Sequence, residues 1–335
     1  MGGVAGYGLR VAPPDRIPAR LADRYDLDRV IGRGGMATVF AAHDRRLGRE
    51  VAVKVVDVAA ADATTRERFV REARAAAGIR HRHSVAVFDA GESEGLLYIV
   101  MELVAGHSVA EELVRNGPLT PARAATVAHG VLDALGTAHA AGTVHRDVKP
   151  ANVMVTDDGD VRLLDFGIAH QLDDLAATLT ETGTVVGTAA YLAPERVTGG
   201  ASTAQSDLYA VGVLLFEMLT GAPPYSGDTP IAVASAHVHA PVPDVRDHRP
   251  DVPPALAEVI ARALAKQPGA RYPDAAAMQG ALTGSSRTAT AVYPQAGSAH
   301  VMTRRLRTGP AERPRTPVWP SVVVGAFTLL LVVGG

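Results

Sequence analysis

His145-Arg146-Asp147-Val148-Lys149-Pro150-Ala151-Asn152, followed shortly by Asp165-Phe166-Gly167, is the stretch whose reading decides the fold. It places a carboxylate (Asp147), an ammonium (Lys149) and two oxygen ligands for a metal (Asn152, Asp165) on two adjacent loops. Hard oxygen donors of this sort suit Mg2+ and exclude a soft-metal centre. The chain has no cysteine, which removes disulfides, thiolate metal sites and a thiol nucleophile. Lysine is scarce: of 33 basic residues only Lys54, Lys149 and Lys266 are lysine. In so arginine-rich a chain each lysine marks a place where a compact ammonium is wanted and a planar fork is not. Lys266 is expected to be the ordinary case, an exposed residue late in a helix.

Working outward, Ile31-Gly32-Arg33-Gly34-Gly35-Met36-Ala37-Thr38-Val39 joins two strands through a glycine-rich turn, where backbone N–H groups can approach phosphate oxygens. In the strand Val51-Ala52-Val53-Lys54, period two puts Ala52 and Lys54 on one face and Val51 and Val53 on the other. A lysine buried there needs a carboxylate partner.

These motifs together resemble the protein kinases, and Val148 stands where the family's loop usually carries leucine. The presence of Lys149 two residues after Asp147 resembles the Ser/Thr rather than the Tyr branch. The chain resembles the eukaryotic-like bacterial Ser/Thr kinases of the receptor type over roughly residues 25 to 283, most of its length. Transfer of the ATP γ-phosphate to protein hydroxyls is what the resemblance implies, with Mg2+ as cofactor. Asp147 would be the base, Lys149 would neutralise the moving phosphate, and Asn152 and Asp165 would hold the metal. Lys54 would meet the α- and β-phosphates, paired with Glu72 of the following helix, with Glu67 as the reserve. Gly32 to Thr38 would cover the phosphates. Ile31, Val39, Ala52 and Met154 would enclose the adenine, Met101 would set the pocket's depth, and Glu102 to Val104 would be the hinge. Ala37 replaces the family's third glycine. Glu195, of Ala193-Pro194-Glu195, and Arg271 match the buried ion pair of the large lobe, and Asp207 matches the anchor of the catalytic loop. Thr188 would bond that loop. Arg146 resembles the arginine that pairs with a phosphorylated activation loop, in which Thr180 and Thr182 match the phosphorylated pair.

The implied fold is α+β, a two-lobed arrangement with a small β-rich lobe (25–101), a hinge (102–106) and a larger helical lobe (107–283). Expected strands run Tyr25 to Gly32, Ala37 to Asp44, Glu50 to Val58 and Tyr98 to Met101. Expected helices are 64–78, 108–115, 121–141, 204–220, 229–239, 254–265 and 274–282. Residues 1–24 read as a disordered lead-in without a signal peptide, and 284–317 as a disordered juxtamembrane linker. From Val318 to Gly335 the chain is apolar and without charge. As a helix this run spans about 27 Å, close to the roughly 30 Å hydrocarbon core. Arg304, Arg305, Arg307, Arg313 and Arg315 precede it, which predicts a single-pass cell-membrane protein with its kinase domain in the cytoplasm.

Net charge is −2, so no basic field invites nucleic acid. The pairs His81/His83 and His237/His239 lack a third ligand at zinc spacing and read as structural or surface histidines. A homodimer through the small lobes is implied by the family alone. The alternative reading is a pseudokinase, a scaffold that binds nucleotide without transfer. Such modules usually lose the base, the strand lysine or the metal-binding aspartate, and this chain keeps Asp147, Lys54 and Asp165.

Overall fold

From Tyr25 the chain pairs with itself in antiparallel strands. The computed structural model describes residues 17–33, 37–57, Phe69, Arg71, Ala73, 77–165 and 189–292, excepting the side chains of Asp57 and of residues 285–292. The strands are β1 (Arg20–Leu21), β2 (Tyr25–Arg33), β3 (Ala37–Asp44), β4 (Arg49–Asp57), β5 (Val87–Ser93) and β6 (Leu96–Met101). They form one sheet in the order β1-β2-β3-β4-β6-β5, with antiparallel pairings throughout. In β4 the two faces enter different cores. Val51, Val53 and Val55 pack with Leu21, Tyr25 and Tyr98, whereas Ala52 and Val56 join the cluster that continues into the helices. Period two therefore assigns Lys54 to the inner face.

Strand β5 escapes a reading of apolar runs, because Asp89, Gly91 and Glu92 interrupt it. Its register comes from the two-residue turn Glu94-Gly95, where both residues have positive φ (52° and 75°), the geometry that matches strand twist in a hairpin.

Past Met101 the chain becomes helical. Strand β7 (Gly106–Ser108) leads into α1 (Val109–Asn116), closed by a reciprocal cap in which Ser108 and Glu111 bond each other's backbone N–H. Helix α2 (Pro121–Ala140) starts on a Thr120 cap with proline in first position. Strands β8 (Val153–Thr156) and β9 (Val161–Leu163) complete a small sheet with β7. Then come α3 (Pro194–Val197), α4 (Ala204–Thr220), α5 (Pro230–His239), α6 (Val245–His248), α7 (Pro254–Ala263) and α8 (Ala275–Val292). From Ser206 to Leu219, with Glu217 the exception, α4 is buried on every side, as befits a helix that is apolar all round.

Three expectations need correction. Residues 20–24 belong to the fold: β1 pairs with Tyr25 and Asp26, Leu21 is fully buried, and Arg24 bonds Asp44 and Asp89. At the other end α8 runs to Val292, nine residues into the stretch read as linker. No proline interrupts it before Pro294, and its alanines favour helix. Lys266 is not an exposed helix residue. It follows α7 and is partly buried, donating to Tyr225 Oη (2.8 Å), the His237 carbonyl (2.7 Å) and the Ala236 carbonyl (3.3 Å). An ammonium there closes the C-terminal end of α5, beside the Ala236 carbonyl that also accepts from the Ala240 N–H at 2.9 Å, where the helix dipole favours positive charge. Among the described residues no helix is long and apolar enough to cross a membrane, and Val318 to Gly335 lies outside them.

His237, in the last turn of α5, is fully buried, with Nδ1 at 2.7 Å from Tyr209 Oη and its ring edge-on to Tyr225. Burial, and then the Lys266 charge, push its pKa down to about 4. The unfolded chain therefore takes up a proton at this histidine below about pH 6.5, the folded chain only near pH 4. This part of the stability is present above pH 6.5 and is lost as pH falls to 4, on the order of 3 kcal/mol. Replacing His237→Gln is expected to flatten the dependence of urea-unfolding free energy on pH between 4 and 6.5. Parallel profiles for the two proteins would contradict the assignment.

Candidate active site

The loop from His145 to Asn152 is held from below by one carboxylate. Asp207, in the first turn of α4, is 1% exposed. Its Oδ2 accepts from the His145 backbone N–H at 2.8 Å and lies 2.8 Å from His139 Nε2, and its Oδ1 accepts from the Arg146 N–H at 2.7 Å. Those bonds enforce an uncommon backbone, since Arg146 has φ of +70°, in the left-handed region. His145 is fully buried, and its Nε2 reaches the Leu164 carbonyl at 2.6 Å, which ties this loop to the residue before Asp165. Leu164 N–H in turn donates to the Asn152 carbonyl at 2.9 Å. The two motif-bearing loops are thus stitched side by side.

On this frame the polar side chains converge. Asn152 Nδ2 donates to both the Asp147 carbonyl (2.8 Å) and its carboxylate Oδ2 (2.7 Å). Lys149 Nζ stands 2.8 Å from the same Oδ2. Both donations come from the amide nitrogen, so the Asn152 side-chain oxygen remains for another partner. Lys54, reaching in from β4, pairs with Asp165 Oδ2 at 2.7 Å; the two side chains are 9% and 20% exposed. Asp165 also has a positive φ, 51°. The carboxylate that β4 needs is therefore supplied by the loop after β9, a partner that strand and helix patterns did not reveal. Glu72 and Glu67 lie outside the described residues, as do Gly34, Gly35, Met36, Thr180, Thr182 and Thr188.

Above the loops, Ala52 pairs across the sheet with Met101, and Val39 with Lys54. Ala52 and Met101 are core, whereas Ala37, Val39 and Val104 pack on that core while partly open. Thr38 is buried, Gly32 and Met154 are partly buried, and Ile31 and Arg33 are exposed. After β6 the backbone of Glu102 donates to the Ala86 carbonyl at 2.9 Å, which holds the connection between the lobes against β5.

Glu195, in the first turn of α3, and Arg271 meet in a two-pronged pair, Oε1–Nη1 at 2.8 Å and Oε2–Nη2 at 2.7 Å. Ser206 Oγ adds a 2.7 Å bond to Oε1. Burial pushes the Glu195 carboxyl up, but the bonds from Arg271 and Ser206 outweigh it and leave it below the usual range. Arg271, 2% exposed, also donates to the carbonyls of Gln205, Ala265 and Lys266. Among the described residues no cluster of three His, Asp or Glu is arranged to hold a metal. His81 and His83 both lie near Asp133, at 3.5 and 3.9 Å.

A sequence model of the protein kinase domain matches residues 25–281. The chain is 43% identical over 302 residues to a Corynebacterium glutamicum protein named "Probable serine/threonine-protein kinase PknB", covering 88% of this chain and 46% of that one. It is 46% identical over 268 residues to serine/threonine-protein kinase PknB of Mycolicibacterium smegmatis, covering 78% of this chain and 43% of that one. It spans less than half the length of these curated relatives. Among solved structures it is similar to Rad53 1-466 in complex with AMP-PNP, with a TM-score of 0.64 and 26% identity, covering 76% of this chain and 64% of that one.

Asp207 is the point at which this frame is most easily broken. An Asp207→Asn replacement turns one acceptor into a donor facing backbone N–H groups and is expected to cost about 2–4 kcal/mol. It should also release the His145 and Arg146 amides to rapid hydrogen exchange. Unchanged urea stability and unchanged protection of those two amides would show that the carboxylate is not the anchor.

Proposed function

The chain belongs to the protein kinase family, and on that premise we propose that it transfers the γ-phosphate of ATP to Ser and Thr hydroxyls of proteins. The observation that carries this reading is the convergence of Lys54 with Asp165, and of Lys149 and Asn152 with Asp147, on two loops tied together through His145 and Leu164. Asp147 orients the substrate hydroxyl and accepts its proton. Because the transition state is loose, most of its effect comes from positioning. Lys149 neutralises the moving phosphoryl group, and Lys54 holds the α- and β-phosphates. Asn152 and Asp165 fit Mg2+ by their hard oxygens, and the bound ion supplies charge neutralisation at the phosphate oxygens. The adenine lies between Ile31, Val39 and Ala52 on one side and Met154 on the other, against Met101 and the backbone of Glu102 to Val104. Gly32 to Thr38 cover the phosphates. The AMP-PNP complex of the similar Rad53 structure agrees with a nucleotide in this cleft.

Control is part of the same reading. Arg146 Nε is buried and has no hydrogen-bond partner among the described residues. A phosphate on Thr180 or Thr182 would supply one, ordering the activation loop by trans-autophosphorylation. The last apolar run, Val318 to Gly335, anchors the protein in the cell membrane, with the kinase domain on the cytoplasmic side and the arginine-bearing stretch 293–317 between them. Pairing of two copies through their small lobes belongs to this reading too, and Leu47, 58% exposed in the β3–β4 turn, gives it an apolar contact point.

With ATP, Mg2+ and a generic protein substrate, Asp147→Asn is expected to lower phosphate incorporation by about 10²–10⁴-fold. Phosphopeptide mapping of the wild type should find Thr180 and Thr182 modified. Equal incorporation by both versions would defeat the enzyme reading in favour of a scaffold, and unmodified threonines would remove the activation scheme. In cell fractionation the full chain should sediment with membranes, and a version ending after Val292, the last residue of α8, should stay in the supernatant; identical distribution would remove the anchor.

A further inference from the structure

A second concave site lies behind the connection between the lobes, away from the carboxylates of the cleft. It is a cavity of about 450 Å³ whose wall includes Arg49, Arg80, Arg82 and Arg162, with Phe88 and Glu102. Among the described lining residues four arginines, Arg80 and Arg82 of them exposed, stand against one carboxylate, and that carboxylate is engaged: Glu102 Oε2 accepts from the Ala86 N–H at 3.3 Å. The arginines are only partly neutralised from outside the cavity. Arg82 pairs with Asp160 at 3.2 Å, which Arg162 approaches only to 3.8 Å. Arg49 Nε is buried without a hydrogen bond, 3.9 Å from Asp44, whose two oxygens are already taken by Arg24. Arg80 is exposed and forms no ion pair or side-chain hydrogen bond among the described residues.

Geometry limits what could fill this place. The Arg49 Cζ sits over the Phe88 ring, 3.7 Å from its centroid, which restrains this guanidinium. Arg162 is held by donation to the Arg82 carbonyl. Arg49 is thus restrained beside the cavity, and guanidinium forks match the oxygen spacing of phosphate and carboxylate. The surplus of positive charge favours the group with the larger charge, and a phosphate monoester carries about −1.5 to −2 at neutral pH. Phe88, 39% exposed, and the buried Ile79 add an apolar wall beside the charges. The volume exceeds what a lone phosphate fills and lies in the range of sites that take a side chain with its neighbours.

We propose that this arginine-walled cavity docks a phosphothreonine- or phosphoserine-bearing segment of a protein. It deepens the kinase reading, which supplies such segments as products, but binding itself does not depend on that activity.

The test measures fluorescence anisotropy of a labelled short peptide carrying phosphothreonine beside valine, with Thr and Glu versions as comparators, against the purified full chain. The phosphopeptide is expected to bind about tenfold or more tightly than either comparator, with affinity falling as salt rises. Arg80→Gln with Arg82→Gln should remove that advantage while leaving the thermal midpoint and basal transfer to a generic unphosphorylated protein unchanged. Arg80→Glu alone serves as the second variant should the double one fold poorly. Equal binding of the three peptides, or undiminished phosphopeptide binding by both variants, would overturn the proposal. Displacement by inorganic phosphate at the peptide's own concentration would overturn its peptide part. Selective phosphopeptide binding by a chain that transfers no phosphate would sink the activity reading and leave this one standing.

Discussion

One buried carboxylate sets the geometry on which the cleft depends. Asp207 gives each of its oxygens to a backbone N–H of the His145–Arg146 turn, and His139 braces it from α2. A left-handed arginine is a conformation that open chain avoids, and it persists only where the surroundings over-determine it. The anchor is firm because α4 is packed on every side, so Asp207 cannot follow the loop if the loop relaxes. Asp147, Lys149 and Asn152 inherit their positions from that turn within the next few residues.

The second constraint joins the two lobes. Lys54 sits in the middle of the large sheet, and its partner Asp165 stands two residues past the end of β9. Taking both charges out of water is costly, so the pair is weak support for stability as such. Its effect is geometric. It aims an ammonium and a carboxylate at one volume, and a strained Asp165 backbone keeps the carboxylate there. The bond from His145 to the Leu164 carbonyl couples this pair to the anchor described above.

Scarce lysine turns out to be a physical clue at all three positions. Lys54 meets a carboxylate at 2.7 Å, Lys149 another at 2.8 Å, and Lys266 two carbonyls and a phenol oxygen. Lys266 sits among three acceptors that come from more than one direction, which a planar guanidinium does not satisfy, while Lys54 and Lys149 each set a compact point charge against one carboxylate oxygen. The reading of Lys266 as an exposed residue failed because its acceptors come from α5 and from Tyr225, far along the chain. Arginine carries the remaining positive charge, including the planar forks that wall the cavity behind the hinge.

Local patterning was enough to place the strands of the small lobe, the long helices and the loops bearing Asp147 and Asp165, because period, caps and motif spacing are properties of neighbouring residues. The two faces of β4 and the helix-after-strand order were likewise written in the chain. Strand β5 was not, since its polar residues are tolerated by pairing with β6 and not by their own propensity. The fates of residues 20–24 and 284–292 also escaped, because composition does not report what a short segment pairs with. Only tertiary structure decided that Asp165 reaches Lys54, that His139 supports Asp207, and that four dispersed arginines share one cavity. Those contacts join residues tens to more than a hundred positions apart, and their energy exists only once the intervening chain has packed.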